Sequence, residues 1–403
     1  MDAQRLAVTV VFAINGAALG SWAPRVPALA EQIGAEPGAL GLALLGASIG
    51  MLVAAMASGR LIERFGSRAV VAVSTIGASL VLPAIGASGS VFALGVALAG
   101  LGVSMGVLDV GMNTAGVVVE RRLSKPIMAT FHAGFSGGAL LGSAAAALAA
   151  ASDWTPARHL TVAAVAALVV LALVIRSVPG IAVDTRRSAE APRAGGAAPA
   201  RRVALWLLAV VALCSAIAEG ASSDWSALLL VSEQGMSEGA AALAFSAFSL
   251  AMVVARLAGA WVQARIGSTR LLVGGALCAG IGLCTAALIP VPTAGFAGFV
   301  LAGAGLAASF PVALSLAGEA GKRADNSGGE RELAFVTAVA YTGFLAGPPV
   351  IGGIAQVTSL SDSFVVVGLV AALIAPAALA AARSLRREQA GERTATSGSG
   401  LPS

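Results

Sequence analysis

Apolar runs long enough to cross a bilayer follow one another along almost the whole chain, separated by short charged breaks. A hydrocarbon core about 30 Å thick takes roughly 20 helical residues. Twelve windows of that kind stand at 6–29, 38–62, 69–87, 91–119, 126–151, 156–175, 203–231, 238–264, 271–289, 292–318, 333–357 and 363–382. Backbone polar groups in lipid must be satisfied within their own segment or in a closed barrel, so runs this long predict helices. The expected fold is all-α and integral to a membrane. Composition agrees: only 11% of residues are charged, against roughly 25% in soluble domains.

The spans form a duplicated set. Leu98-Ala99-Gly100-Leu101-Gly102 returns as Leu301-Ala302-Gly303-Ala304-Gly305, an offset of 203. Arg64-Phe65-Gly66-Ser67 returns as Arg265-Ile266-Gly267-Ser268 at 201, and Phe135-Ser136-Gly137 as Tyr341-Thr342-Gly343 at 206. Parallel repeats of six spans are a way to build a site between two halves. The expected organisation is a six-helix bundle over 1–178, a cytoplasmic linker over 179–202, a second bundle over 203–385 and a disordered tail over 386–403. The linker is rich in Ala, Pro, Gly and Arg and has no apolar period.

Charge sets the orientation. Arg25 and Arg158 fall in one set of loops and Arg256 inside a span, while every other Lys and Arg flanks the opposite span ends. The positive-inside rule then predicts both termini in the cytoplasm of a bacterial cell, with the chain in its inner membrane. The same bias accounts for a pI near 9.8 without a nucleic-acid partner, since no soluble face carries the basic residues. Arg5, an apolar run and Ala28-Leu29-Ala30 imitate a secretory leader, but the run is long and the first repeat needs this helix. Cys214, Cys278 and Cys284 lie inside spans with no disulfide or metal spacing. No Gly-x4-Gly-Lys phosphate loop is present, and only His132 and His159 could serve a nucleophile. No enzyme, cofactor or metal is expected.

Between the second and third spans stands Gly59-Arg60-Leu61-Ile62-Glu63-Arg64-Phe65-Gly66-Ser67-Arg68. Gly66 permits a sharp turn, Glu63 can hold the arginines, and Glu120 is a second acid for Arg64 or Arg68. The run resembles the loop signature of the major facilitator superfamily, with Glu63 where that family usually has Asp. The copy from Gly259 to Arg270 lacks the acid. Four further patterns, Ser21-Trp22-Ala23-Pro24-Arg25-Val26-Pro27, Asp109-Val110-Gly111-Met112-Asn113, Phe131-His132-Ala133-Gly134-Phe135-Ser136-Gly137-Gly138 and Glu219-Gly220-Ala221-Ser222-Ser223-Asp224-Trp225-Ser226, are similar to a bacterial branch that holds the MosC-like rhizopine-transport membrane proteins, distantly related to fucose permeases. That resemblance implies a proton-linked carrier of a small, sugar-like or polyol-like solute; the duplicated halves and their linker point to alternating access, and a monomer is expected. Proton-driven efflux of drugs or metabolites is the alternative.

Ionisable groups inside a span are costly unless paired or facing a cavity, which makes each a candidate site. At ~1.5 Å per residue, Asn113 and His132 lie roughly 10–12 Å inside the cytoplasmic end, and Asp109 one turn deeper on the face of Asn113. Asp109 is either a proton or substrate site or a buried carboxylate bridging helices; His132 either carries a proton or packs. Glu219 sits deep in span seven. The resemblance implies that spans one and seven meet above the cavity, so Arg25 with Asp224 or Glu219, beside Trp22, is expected to form an outer gate. Asn15, Phe131, Phe135, Phe310, Tyr341 and Arg256 are candidates to line the cavity.

Overall fold

The computed structural model describes residues 2–125, 127–180, 202–325 and 329–398. Every regular element among them is helical. The first half comprises α1 (Ala3–Trp22), a 3₁₀ turn (Ala23–Arg25), α2 (Val26–Ile33), α3 (Pro37–Gly86), α4 (Val91–Leu123), α5 (Met128–Ala151) and α6 (Pro156–Val174). The second comprises α7 (Val203–Ser232), α8 (Glu238–Ile266), α9 (Ser268–Leu288), α10 (Pro292–Leu306), α11 (Ser309–Asp325), α12 (Glu330–Val357), α13 (Leu360–Ala372) and α14 (Ile374–Gly398). Eleven helical segments of the described residues are long and apolar enough to cross a membrane.

Local chemistry sets the breaks. Pro24 lies within the 3₁₀ turn that joins α1 to α2, and Pro27 in the first turn of α2. Pro311, with no N–H to offer, stands in the first turn of α11, and Pro376 follows the turn between α13 and α14. The 50 residues of α3 would reach ~75 Å if straight, over twice a hydrocarbon core. They are interrupted at Gly66, with φ 76° and ψ 159°, and Gly267 between α8 and α9 adopts φ 82° and ψ 158°. Only glycine tolerates that region readily, so the two halves share one backbone corner at the repeat offset of 201. Where the sequence suggested a loop over 63–68, helix therefore runs up to a one-residue corner and resumes.

A second correction concerns the C-terminal tail. The last helix continues to Gly398 instead of ending near 385, and Arg202 grips it, with Nη2 donating to Glu388 Oε2 at 2.7 Å. The linker residues 181–201 and the final 399–403 lie outside the described residues.

Large exposed side chains such as Leu80, Phe92, Leu141 and Leu173 cover the outside, as a lipid-facing surface requires and a water-facing one does not. Inside each half, helices approach through small residues. In the first, α1 and α5 lie backbone to backbone, with Gly16 against the Phe135 carbonyl and Gly138 against that of Ala13.

Among the described residues, the hydrogen bonds that join the two halves gather at one end of their seams. Calling the end with Arg60, Arg64, Arg121 and Arg122 the basic end, the cross-half contacts cluster at the opposite, far end. Gly38 N donates to Gln356 Oε1 at 3.0 Å, and Ser48 Oγ to the Phe344 carbonyl at 2.8 Å, along the α3–α12 seam. Ser246 Oγ and Ser143 Oγ lie 2.7 Å apart along the α5–α8 seam.

Candidate functional site

Midway along the bundle, both halves present ionisable groups to a common space. On α4, Asn113 Nδ2 donates to the carbonyl oxygen of Asp109 at 2.8 Å and to its Oδ1 at 3.3 Å, the consequence of an i,i+4 spacing. On α5, His132 is exposed and lies edge-on to Phe12, ring centroids 5.2 Å apart. From the second half, Glu219 Oε1 on α7 pairs with Arg256 Nη2 on α8 at 3.1 Å. Arg256 Nε also donates to the Ala307 carbonyl at 3.4 Å, at the break after α10. Tyr341 on α12 is 51% exposed. Arg256 lies within electrostatic range of His132, and Asp109 within range of Tyr341. The two pairings cross from one half to the other, so five helices converge on a single polar space.

Several expected lining residues sit elsewhere. Phe131 is fully buried and stacks on Phe12, ring centroids 5.7 Å apart. Asn15 is buried between α1 and α4, with Nδ2 3.7 Å from Met112 Sδ. Both belong to the packing of the first half. One residue along the helix from Phe131, a turn of about 100°, His132 faces the space instead. Phe135 and Phe310 are half-buried, the latter packed against the core of the second half.

At the far end, Arg25 meets neither Asp224 nor Glu219. Its Nη2 donates to the Trp154 carbonyl at 2.6 Å and lies 3.8 Å from Glu238 Oε2, on the opposite half. Glu219 is already taken by Arg256, two turns deeper, whereas Glu238 opens α8 just after its Ser237 N-cap and stands at the level of Arg25. Asp224 is half-buried. Trp22 is buried in the core beside this turn. Glu238 was missed as a functional residue because it coincides with a span boundary. The available signal was charge: Arg25 and Arg158 are the only basic residues on that side, and an acid in the facing loop is their natural partner.

At the basic end, the structure changes the reading of Glu120. Gly59 and Glu63 are exposed, and Arg64 covers the Phe65 ring at 5.3 Å. Ser67 Oγ donates to the Pro179 carbonyl at 2.7 Å, and Arg68 Nε to the Val178 carbonyl at 2.7 Å, so the motif clamps the chain leaving α6. Glu120 serves neither arginine. Its Oε2 accepts from Ile127 N at 2.7 Å and Met128 N at 2.8 Å, closing the open N–H groups at the start of α5. Glu120→Ala is expected to cost about 1–3 kcal/mol by stranding two donors, read as a lower melting temperature that Glu120→Gln partly restores.

A duplicated, all-helical membrane bundle with a polar space between its halves is the architecture of a solute carrier. The chain matches the family model of the Major Facilitator Superfamily over residues 8–320 and 208–401. It is 32% identical to an uncharacterized MFS-type transporter of Yersinia pestis, over 94% of this chain and 96% of that protein. It is 28% identical to the membrane protein MosC of Rhizobium meliloti, over 93% and 90%. Among solved structures, the nucleoside transporter NupG superposes with a TM-score of 0.74 at 14% identity, covering 94% of this chain and 99% of that one. A D-xylose-proton symporter gives 0.70 at 14%, covering 93% and 97%. The chain belongs to the Major Facilitator Superfamily, and it is a multi-pass membrane transporter.

Proposed function

We propose that the protein is a proton-coupled secondary carrier of a small polar solute, working by alternating access as a monomer in a bacterial inner membrane. Counting α3 as two spans on either side of Gly66 gives twelve, with both termini on the basic, cytoplasmic side. The observation that carries the reading is the asymmetry of the seam. Arg25 and Glu238, Ser48 and Phe344, and Ser143 and Ser246 join the halves at the far end, while Asp109, His132 and Arg256 remain exposed nearer the basic end. This is an inward-facing arrangement, with the Arg25–Glu238 pair as its outer latch. Asp109, Asn113, His132 and Glu219 handle proton and solute. A sugar-like or polyol-like cargo is supported by the MosC resemblance and by the xylose-proton symporter fold. Export is a second reading, favoured by the scarcity of amides around the space, where among the described residues Asn113 is the one amide at hydrogen-bonding distance of a candidate acid.

Proteoliposomes holding a trapped pH dye test this. A panel of polyols, sugars, amines and drugs should include a solute that moves protons across the membrane. Asp109→Asn, which removes the titratable group, should abolish the solute-driven proton movement. Flux that survives the substitution moves the proton to Glu219; a panel that moves no protons contradicts proton coupling.

A further inference from the structure

We propose that Arg256 is a positioning residue that couples the polar space to the bend between α10 and α11, by standing in for a backbone donor that Pro311 withholds; the proposal rests on the alternating-access reading above. In a regular helix the carbonyl of one residue accepts from the N–H four residues on. Ala307 keeps helical angles, φ -49° and ψ -38°, so residue 311 would supply its rung. Proline has no N–H to give. The ladder resumes one residue later, past the Ala307 oxygen, with Val312 N donating to the Ala308 carbonyl at 3.0 Å. Arg256 Nε reaches the skipped oxygen from α8 at 3.4 Å, while Nη2 of the same guanidinium holds Glu219 at 3.1 Å.

The packing on either side of the missing rung differs. α10 is joined to its neighbours backbone to backbone: Gly282 and Gly298 abut each other's carbonyls, Gly305 abuts that of Gly275 on α9, and Gly303 that of Phe248 on α8. These seams hold no side chain that could yield. α11 rests on α7 and α12 instead, with Arg202 Nη1 donating to the Ala320 carbonyl at 3.3 Å. A fixed α10 and a separately held α11 make residues 307–308 the place where this helix bends. Arg256 belongs to the fixed side, and 39% of its side chain is exposed. Water offers it other partners, so its hold on Ala307 depends on Glu219 keeping the guanidinium aimed. A solute that engages Glu219 frees the arginine and strands the carbonyl, which is costly inside a bilayer. The carbonyl regains a partner by sharing the Val312 N–H, and that shifts the first turn of α11. Occupancy of the space is thereby passed to the helix that runs from it toward the basic end.

Pulsed dipolar spectroscopy across the break tests this on the purified full chain, with spin labels at Thr293 on α10 and Ser315 on α11, both exposed, after replacement of Cys214, Cys278 and Cys284. Arg256→Met and Arg256→Lys should both shift the distance distribution. The lysine keeps a charge beside Glu219, but its ammonium is a point charge without the planar fork that meets both groups. Glu219→Ala should shift the distribution in the same direction. Pro311→Ala returns the N–H, and on that background none of the three changes should move the distribution further, because all act through one carbonyl. A distribution that either Arg256 variant leaves unmoved, or moves as far with Pro311→Ala as without it, overturns the proposal. So does a return to the wild-type distribution when Glu219→Ala is combined with Arg256→Met, the result expected if the arginine does no more than balance the acid. Both labels lie in one half, so the readout is independent of rocking. Cross-half distances that stay fixed while this pair responds would remove the alternating-access reading and leave the Arg256 coupling standing. Rocking with an unresponsive pair would do the reverse.

Discussion

Replacing Gly41 with leucine should abolish transport while leaving the protein folded. A Cβ on Gly41 would stand 2.5 Å from the Pro348 carbonyl oxygen and 3.2 Å from the Pro349 Cα. Both are backbone atoms of the other half, and neither can step aside. Overlap of that kind is relieved only if α3 and α12 separate at the far end, which is the movement that outward opening requires. The substitution therefore destabilises the closed state selectively. Shifting a two-state equilibrium from 1:99 to 99:1 takes about 5.5 kcal/mol, and a branched side chain driven into backbone supplies a large part of it. Transport should fall about 100-fold or more, with an unchanged elution profile. A cysteine in place of Ser48, whose hydroxyl now reaches the Phe344 carbonyl at 2.8 Å, should become reactive to reagents added at the far side once Cys214, Cys278 and Cys284 are replaced. Full transport by Gly41→Leu would mean that this seam never closes in the working cycle.

Gly138→Leu should instead abolish folding. Gly138 abuts the Ala13 carbonyl, and Gly16 and Gly20 on α1 abut the carbonyls of Phe135 and Ala139 on α5. All of these belong to one half, so no rocking of one half against the other relieves the clash. Overpacking in a soluble core costs typically 1–3 kcal/mol and occasionally more; contact between two helix backbones places this site at or above the top of that range. The expected result is little or no monodisperse protein after extraction. The two leucines therefore separate a seam that must open from one that must not, and the comparison needs no knowledge of the cargo.

The helical spans were legible because lipid leaves the backbone few alternatives. Starts such as 91, 156, 203, 238 and 292 coincide with those of α4, α6, α7, α8 and α10. The Asp109–Asn113 pair was legible for the same reason, since i,i+4 spacing fixes a shared face whatever surrounds it. Which face looks inward was not legible. In a soluble helix the apolar stripe marks the core, but here lipid and core are equally apolar, so Phe131 and His132, which both touch Phe12, could not be ranked until packing buried the first and left the second exposed. Partner choice across loops was hidden as well. Arg25 was expected to find an acid on α7, and it faces Glu238 because the 3₁₀ turn carries it toward the α5–α6 turn and the start of α8. Glu120 was expected to hold an arginine, and unsatisfied N–H groups one short turn away claimed it first.

Alternating access is tested most directly by pulsed dipolar spectroscopy on two spin-label pairs placed across the halves. One pair, at Asp153 and Thr358, reports the far end; the other, at Arg121 and Arg331, reports the basic end, and all four residues are exposed. In the unliganded protein the far-end distribution should be short and the basic-end distribution long. A change of pH or a bound cargo should lengthen the first as it shortens the second, and Gly41→Leu should drive the same exchange without either. Two distributions that stay fixed, or that lengthen and shorten together, would contradict a carrier that opens to one side at a time.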